Sequence, residues 1–241
     1  MKSNDMRGLT AGMFPNTGAG SRAEETPPGL PARIGGLLMS RQYFSSNPLA
    51  PHDRREIVWT LPGRRLHLIT DSGVFSREGV DRGSAALVAS LPHCGGKEVL
   101  ELGCGYGPIL LAVKALFPGA SVTGVEVNRR ALALCRQNAA INGLEAEILE
   151  SNGFSALTGR LFDIILTNPP IRAGKEVYYP WFGQAEAHLR QGGRFLCVIQ
   201  KKQGAPSAQR ALAAVFGQCE VINRVQGFWI LESIKNKGEK A

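Results

Sequence analysis

The stretch that decides the fold covers residues 98–126, EVLELGCGYGPILLAVKALFPGASVTGVE. Its first five residues are mostly apolar and predict a buried strand, and the apolar run at 121–127 predicts a second one. Between them, residues 108–117 predict a helix with proline in its first turn, where the missing N–H is tolerated. A strand, a helix and a second strand joined by short turns indicate a βαβ unit with parallel strands.

The same alternation of strand and helix continues along the chain and predicts an α/β fold. In chain order the predicted elements are a helix at 129–141, strands at 147–149 and 162–166, a helix at 177–189, a strand at 194–199, a helix at 206–216, and antiparallel strands at 220–225 and 228–233. Such repetition favours a mostly parallel sheet covered by helices on both faces, which binds ligands at the carboxyl ends of its strands.

Shorter elements precede this core. Residues 57–61 and 65–70 are extended segments on either side of the Pro-Gly-Arg turn at 62–64, which predicts a β-hairpin. Ser84 is the predicted cap of a short helix at 85–91.

The composition divides the chain into four segments. Residues 1–38 are rich in Gly, Pro, Ser, Thr and Asn and predict a disordered leader, which makes Met39 a candidate start. Residues 39–96 form an accessory segment with the hairpin and the short helix. Residues 97–234 form the ligand-binding core, and residues 235–241 form a solvated tail.

The composition also bears on partners and compartment. The chain has 241 residues, 44% of them hydrophobic, with a formal net charge of +8 and a pI near 9.5. Such a basic chain favours a polyanionic partner. The five cysteines lack a Cys-x-x-Cys pair and the four histidines are isolated, which argues against a metal site and favours a reducing cytoplasm. No apolar run reaches the length needed to span a membrane.

Three glycines, Gly103, Gly105 and Gly107, follow the first core strand. Glycine lets backbone N–H groups approach a ligand closely, and the N-terminus of the next helix adds a positive field. A dinucleotide-binding loop would need its third glycine where this chain has Pro108, which argues against NAD. Glu101, two residues before the first glycine, suits a cationic ligand group and would repel a pyrophosphate.

Glu126 ends the second core strand. A carboxylate at that place can accept hydrogen bonds from both hydroxyl groups of a ribose. The alternative is an ordinary solvated glutamate at a strand end.

Asn168, Pro169 and Pro170 follow the predicted strand at 162–166. Each proline fixes its own φ and restricts the residue before it, so the turn is rigid. The Asn amide oxygen and the proline carbonyls are acceptors that can hold an amine with two N–H bonds and aim its lone pair. The alternative is an ordinary turn that terminates a strand.

Together these motifs resemble those of class I S-adenosylmethionine-dependent N-methyltransferases. More narrowly, residues 43–233 resemble the methyltransferase small domain family, which includes bacterial ribosomal-RNA guanine-N2 methyltransferases and their single-domain relatives. The resemblance implies a Rossmann-like sheet of seven strands in the order 3-2-1-4-5-7-6, with the seventh antiparallel, preceded by the accessory hairpin. The matching stretches are 70–76, 103–107, 168–175 and 198–207.

The resemblance implies S-adenosylmethionine as the methyl donor, bound by the core at 97–234. Glu101 is then expected near its amino group, and Glu126 at its ribose. The implied cofactor-binding residues are Glu101, Gly103, Gly105, Gly107, Glu126, Asn128, Asn152, Gly153 and Asn168. The implied catalytic residues are Asn168, Pro169 and Pro170, with the Asn168 side chain and the Pro169 carbonyl holding the target amine.

The residue after the prolines is Ile171, where N6-adenine and glutamine methyltransferases often place an aromatic residue. Isoleucine keeps an apolar face without stacking, and the resemblance therefore favours the branch that methylates the N2 of a guanine in small-subunit (16S) ribosomal RNA. Basic residues near the loop suit phosphate contacts. The implied substrate-binding residues are Phe75, Ile171, Arg172, Lys175, Lys201 and Lys202.

The expected partner is ribosomal RNA or the small ribosomal subunit, in the cytoplasm and without a membrane or a metal. Three other functions stay open at this point. They are a protein glutamine N5-methyltransferase, a nonenzymatic RNA-binding assembly factor, and an NAD oxidoreductase. The oligomeric state is not indicated by the sequence.

Overall fold

A computed structural model describes residues 50–236 of the chain. The predicted leader at 1–38 lies outside the described residues, as do residues 237–241 of the predicted tail. Lys235, assigned above to the tail, is instead held by the protein. Its N–H donates to the Gly193 carbonyl at 2.9 Å, and its ammonium lies 3.4 Å from the Glu186 carboxylate. Lys235, just past the last strand, is therefore anchored to the core.

The accessory segment contains the predicted hairpin, formed by antiparallel β1 (Arg55–Leu61) and β2 (Arg64–Thr70). Helix α1 (Arg82–Val88) follows, but its predicted Ser84 cap is wrong. The cap is Asp81, whose side chain accepts the N–H groups of Gly83 and Ser84. An aspartate side chain is among the preferred acceptors at a helix N-terminus, and Asp81 starts the helix earlier than the serine would.

The core sheet has the predicted strand order. Along the sheet the strands run β5-β4-β3-β6-β7-β9-β8, which is 3-2-1-4-5-7-6 when the core strands are counted from β3. β9 pairs antiparallel with both β7 and β8, as the resemblance implied. The strands are β3 (Glu98–Leu102), β4 (Ser121–Glu126), β5 (Glu147–Glu150), β6 (Phe162–Thr167), β7 (Leu189–Gln200), β8 (Glu220–Val225) and β9 (Phe228–Ile234).

Helices cover both faces of this sheet. They are α2 (Pro108–Leu116), α3 (Arg129–Ile141), α4 (Lys175–Tyr178), α5 (Pro180–His188) and α6 (Ala205–Phe216). Successive residues of a strand point to opposite faces, so Val99 joins one apolar cluster and Leu100 the other. Within residues 50–236, no helix is long and apolar enough to cross a bilayer.

One predicted helix, at 177–189, is two helices in the structure. Pro180 has no N–H with which to continue α4, so α5 starts afresh there. β7 also begins earlier than the predicted residue 194, because Leu189 already pairs with Phe162 before an irregularity in the ladder.

Two asparagines of α3 attach the hairpin to the core. The Asn138 amide bonds to both the N–H and the C=O of Ile69, and the Asn142 amide bonds likewise to His67. Four residues of helix rise about 6 Å and two residues of strand rise about 6.8 Å, so the two spacings nearly match. The pair of amides therefore satisfies the backbone of β2 much as a neighbouring strand would.

Candidate functional site

A cavity of about 640 Å³ opens at the carboxyl ends of the core strands. Parallel strands end at the same edge of a sheet, so loops far apart in sequence meet there. Most of the predicted site residues line it, namely Phe75, Glu101, Gly103, Gly105, Glu126, Asn128, Asn152, Gly153, Asn168, Pro169, Pro170, Ile171 and Arg172.

Gly107 was predicted to bind the cofactor but does not line the cavity. It precedes α2 with a φ of 98°, and a Cβ atom there would lie 2.8 Å from the sulfur of Cys135. Close packing between α2 and α3 and a left-handed backbone therefore explain this glycine.

Three predicted substrate-binding lysines also lie outside the cavity lining. Lys201 and Lys202 form a 3-10 turn after β7 and border a separate shallow depression. The Lys175 ammonium lies 5.6 Å from the centre of the Tyr179 ring. All three side chains are exposed, so any contact with RNA would be made around the cavity rather than in it.

Glu126 organises the glycine loop as well as facing the cavity. One carboxylate oxygen accepts the Gly105 N–H at 2.9 Å, and the other accepts the N–H groups of Val127 and Asn128 at 2.8 Å each. Burial raises the pKa of Glu126, and the three backbone hydrogen bonds oppose that rise. Three of about four lone-pair sites are used, which leaves acceptor capacity for a ligand hydroxyl.

Glu101 is buried, with 2% of its surface exposed, and it lines the same cavity. One of its carboxyl oxygens has no hydrogen-bond partner among the described residues. Burial raises the pKa of Glu101 well above its ordinary value, and the neighbouring Cys135 and Glu126 raise it further. A buried carboxyl that has an unused oxygen and belongs to a residue lining a cavity is suited to a cationic group of a ligand.

Asn128 is held by the protein. Its amide oxygen accepts the N–H groups of Arg130 and Ala131 as the cap of α3, and its nitrogen donates to the Gly73 carbonyl at 2.9 Å. The side chain thus ties the loop before α1 to α3. Its contact with the cofactor stays a prediction.

Trp181 of α5 forms part of the cavity wall and was missed by sequence reasoning. A Cβ atom on Gly153 would lie 2.7 Å from its ring nitrogen, and one on Gly103 would lie 4.0 Å from its ring. The absence of side chains at both glycines lets the indole lie against the predicted cofactor loops. Periodicity alone does not separate such a residue from ordinary packing aromatics of a helix.

Asn168 reaches from the end of β6 to α1. Its side-chain nitrogen donates to Ser84 Oγ at 3.0 Å and to Asp81 Oδ2 at 3.1 Å. The Pro169 carbonyl accepts the Ile171 N–H at 2.8 Å and keeps a second lone pair. The Asn168 amide oxygen is thereby turned away from α1.

Two strained residues mark the cavity as well. Within residues 50–236, the non-glycine residues with positive φ are Ser76, at 56°, and Gln226, at 48°, and both line the cavity. Left-handed backbone in such residues is concentrated at functional sites. The positive φ of Ser76 and Gln226 could not be predicted from the residues around them. The further lining residues absent from the predictions include Asp81, Ser84, Gln200, Gln203 and Phe228.

The family model described as Methyltransferase small domain matches residues 65–232. The uncharacterized protein YbxB of Bacillus subtilis is 38% identical over 201 residues, which is 82% of this chain and 100% of that protein. Ribosomal RNA small subunit methyltransferase C of Salmonella choleraesuis is 36% identical, over 73% of this chain and 51% of its own length. The chain thus spans about half the length of that relative.

Solved structures agree on the fold. The 16S rRNA N2 guanine methyltransferase RsmC of Thermus thermophilus, in complex with AdoMet and guanosine, superposes with a TM-score of 0.70 at 31% identity, over 78% of this chain and 52% of that one. A methyltransferase from Pyrococcus furiosus matches in fold, with a TM-score of 0.57 at 22% identity over 64% of this chain and 82% of that one. The family match over residues 65–232 and the similarity to these relatives show that this chain belongs to the methyltransferase small domain family.

Proposed function

We propose that this chain is an S-adenosylmethionine-dependent methyltransferase that modifies the exocyclic N2 of a guanine in small-subunit (16S) ribosomal RNA. The observation that carries the proposal is the pose of Asn168, whose amide oxygen is aimed away from α1 in the cavity that also holds Glu101. RsmC, which resembles this chain over most of its described length, was solved with AdoMet and guanosine. Family membership excludes the NAD oxidoreductase.

The residues present fit S-adenosylmethionine. The unpartnered oxygen of Glu101 would take its cationic amino group, and the remaining acceptor sites of Glu126 would take ribose hydroxyls. Gly103, Gly153 and Trp181 would line the rest of the cofactor site. When bound, this cofactor supplies an electrophilic methyl group on a sulfonium.

The residues of the Asn-Pro-Pro turn would position the acceptor amine. The Asn168 amide oxygen and the free lone pair of the Pro169 carbonyl accept its two N–H bonds, which localises the nitrogen lone pair and aims it. This is catalysis by positioning, without a nucleophilic side chain. Ile171 and the half-exposed Phe75 offer apolar surface to the base.

Exposed basic residues around the cavity would bind the RNA backbone. Arg172 lines the cavity mouth, while Lys175, Lys201 and Lys202 lie outside it. Phosphate contacts of this kind fix the register of an RNA without reading its sequence. The proposed partner is therefore ribosomal RNA or the small ribosomal subunit, and the proposed place of action is the cytoplasm.

The test is mass-spectrometric nucleoside mapping of ribosomal RNA from cells with and without this protein. We expect one N2-methylguanosine of the 16S RNA to disappear without the protein and to return when the purified enzyme and S-adenosylmethionine are added. Unchanged RNA with methyl label on protein glutamine would contradict the proposal and favour a glutamine methyltransferase. RNA affinity without turnover would indicate a nonenzymatic assembly factor instead.

A further inference from the structure

The accessory helix α1 contacts the Asn-Pro-Pro turn directly. Asn168 Nδ2 donates to Ser84 Oγ at 3.0 Å and to Asp81 Oδ2 at 3.1 Å. The Ser84 hydroxyl in turn donates to the same Asp81 oxygen. All three side chains line the cavity, so this hydrogen-bonded group forms part of its wall.

The chemistry of Asp81 decides how the Asn168 amide is oriented. An ionised carboxylate only accepts hydrogen bonds, so it must face the NH2 group of the amide and not its oxygen. Fixing the NH2 group leaves the amide oxygen aimed at the opposite side. A negative charge beside the NH2 group also polarises the amide and makes its oxygen a stronger acceptor.

The geometry at the start of α1 lets the Asp81 carboxylate cap the helix and contact Asn168 at the same time. Asp81 Oδ1 accepts the Gly83 N–H at 2.8 Å as the helix cap, and Oδ2 accepts from Asn168 as well as from Ser84. A Cβ atom on Gly83 would lie 2.9 Å from Asp81 Oδ1 and 3.1 Å from the Phe228 ring. Glycine at this position therefore gives both the carboxylate and the ring the space that they occupy.

We propose that Asp81 and Ser84 are positioning residues, which hold the Asn168 amide with its oxygen toward the acceptor amine. The kinetic consequence rests on the function proposed above, whereas the contact itself does not. Neither residue touches the reacting atoms in this proposal, since both act through Asn168.

The kinetic test uses variants that separate this contact from the helix cap. Asp81→Ser keeps a capping oxygen but is too short to reach Asn168, and Ser84→Ala removes one acceptor of Asn168 while the capping bond from the Gly83 N–H to Asp81 stays. We expect kcat on small-subunit ribosomal RNA to fall about 10-fold in Ser84→Ala and about 100-fold in Asp81→Ser. The KM for RNA and the Kd for S-adenosylmethionine should stay within about twofold of the native values.

Two further variants serve as controls. Ser84→Thr keeps a hydroxyl at this position and should therefore keep most of the native kcat, unlike Ser84→Ala. Ser90→Ala removes a hydroxyl that bonds to the Ala86 carbonyl at 2.9 Å just past the end of the same helix, away from Asn168. It should leave kcat unchanged. Native kcat in both Ser84→Ala and Asp81→Ser would overturn the proposal.

A second measurement needs no activity. The side-chain amide signals of Asn168 in a nitrogen-15 NMR spectrum are identified by their loss in Asn168→Ala. We expect their protons to exchange with solvent about 10-fold faster in Ser84→Ala than in the native protein. Unchanged exchange would overturn the proposed contact. If the native protein methylates no RNA, the proposed function fails, and the exchange rates still decide whether α1 holds the amide.

Discussion

Asn168 and Glu101 are polar side chains that line one cavity, but they differ in how many hydrogen-bond partners the protein gives them. The Asn168 side-chain nitrogen donates to Asp81 and Ser84 at the start of α1, so the amide oxygen has a defined direction without a ligand. Glu101 keeps one buried carboxyl oxygen without a partner. A buried carboxyl of that kind lowers the stability of the fold until a ligand supplies the missing donor.

For Asn168 we predict that Asn168→Ala abolishes methyl transfer and leaves the Kd for S-adenosylmethionine nearly unchanged. The side chain is proposed to hold the acceptor amine, so its loss removes chiefly an interaction with the acceptor, although Asn168 was also among the predicted cofactor-binding residues. Calorimetric titration and counting of tritiated methyl groups measure the two effects. Loss of cofactor binding in this variant would contradict the role.

For Glu101 we predict that Glu101→Gln stabilises the protein without ligand by about 1–3 kcal/mol at neutral pH. The carboxyl has an ordinary pKa of 4.5, which burial raises in the folded state. Above pH 4.5 the folded state therefore binds more protons than the unfolded state. The free energy of unfolding of the native protein falls as the pH rises from 4.5 to the raised pKa of the folded state. Urea unfolding should show the variant's advantage shrinking as the pH approaches 4.5.

The same substitution tests the cofactor site. A cationic amino group beside Glu101 favours the ionised carboxylate, so binding releases a proton and tightens as the pH rises above 4.5 toward the raised pKa of the carboxyl. In Glu101→Gln this pH dependence should disappear, and the affinity for S-adenosylmethionine should fall about 10-fold. An unchanged pH profile of the Kd would place the amino group elsewhere.

At the scale of elements, the accessory segment forms part of the site. The loop at 71–81 is tied to α3, because Arg130 donates to the Ser72 carbonyl at 2.7 Å and Asn128 donates to the Gly73 carbonyl. This loop supplies Phe75 and Asp81 to the cavity. Sequence patterns predict the hairpin and most core elements from apolar periodicity and prolines. They do not predict these contacts, since a capping aspartate looks the same whether or not its second oxygen has a distant partner.

For the hairpin we predict unequal effects of two similar substitutions. Asn138 is fully buried and bonds to both backbone groups of Ile69 and to the Tyr106 carbonyl. Asn138→Ala leaves these groups unpaired and should lower the free energy of unfolding by about 3 kcal/mol. Asn142→Ala, at a half-buried position, should cost about 1 kcal/mol. Equal losses in urea unfolding would show that the buried amide does not clamp the hairpin.

At the scale of the whole molecule, the net charge of +8 is compatible with a polyanionic substrate. Some basic residues are neutralised locally, as in the ion pairs of Arg129 with Glu150 and Arg160 with Glu147. Arg172, Lys201 and Lys202 are exposed on the side of the sheet where the strands end. Charge near the cavity, more than the total, should therefore govern RNA affinity.

For RNA binding we predict a strong dependence on salt. If about four phosphate groups are neutralised, the affinity for single-stranded RNA should fall about 50-fold between 50 and 200 mM salt. Lys201→Ala should reduce the slope of log K against log salt by about 0.7. Lys97→Ala is the matched control, because Lys97 is exposed just before β3, at the opposite edge of the sheet from the cavity. Equal slopes in both variants would argue against an RNA contact at Lys201.

The sequence by itself determined the α/β class, the bounds of most strands, the glycine loop and the rigid Asn-Pro-Pro turn. These features depend on local periodicity and on the restricted backbones of glycine and proline, which act over a few residues. Only the tertiary structure decided that Gly107 packs against Cys135, that Trp181 lies over Gly153, and that α1 orients Asn168. Those relations join residues separated by as much as 87 positions, and chain packing alone brings them together.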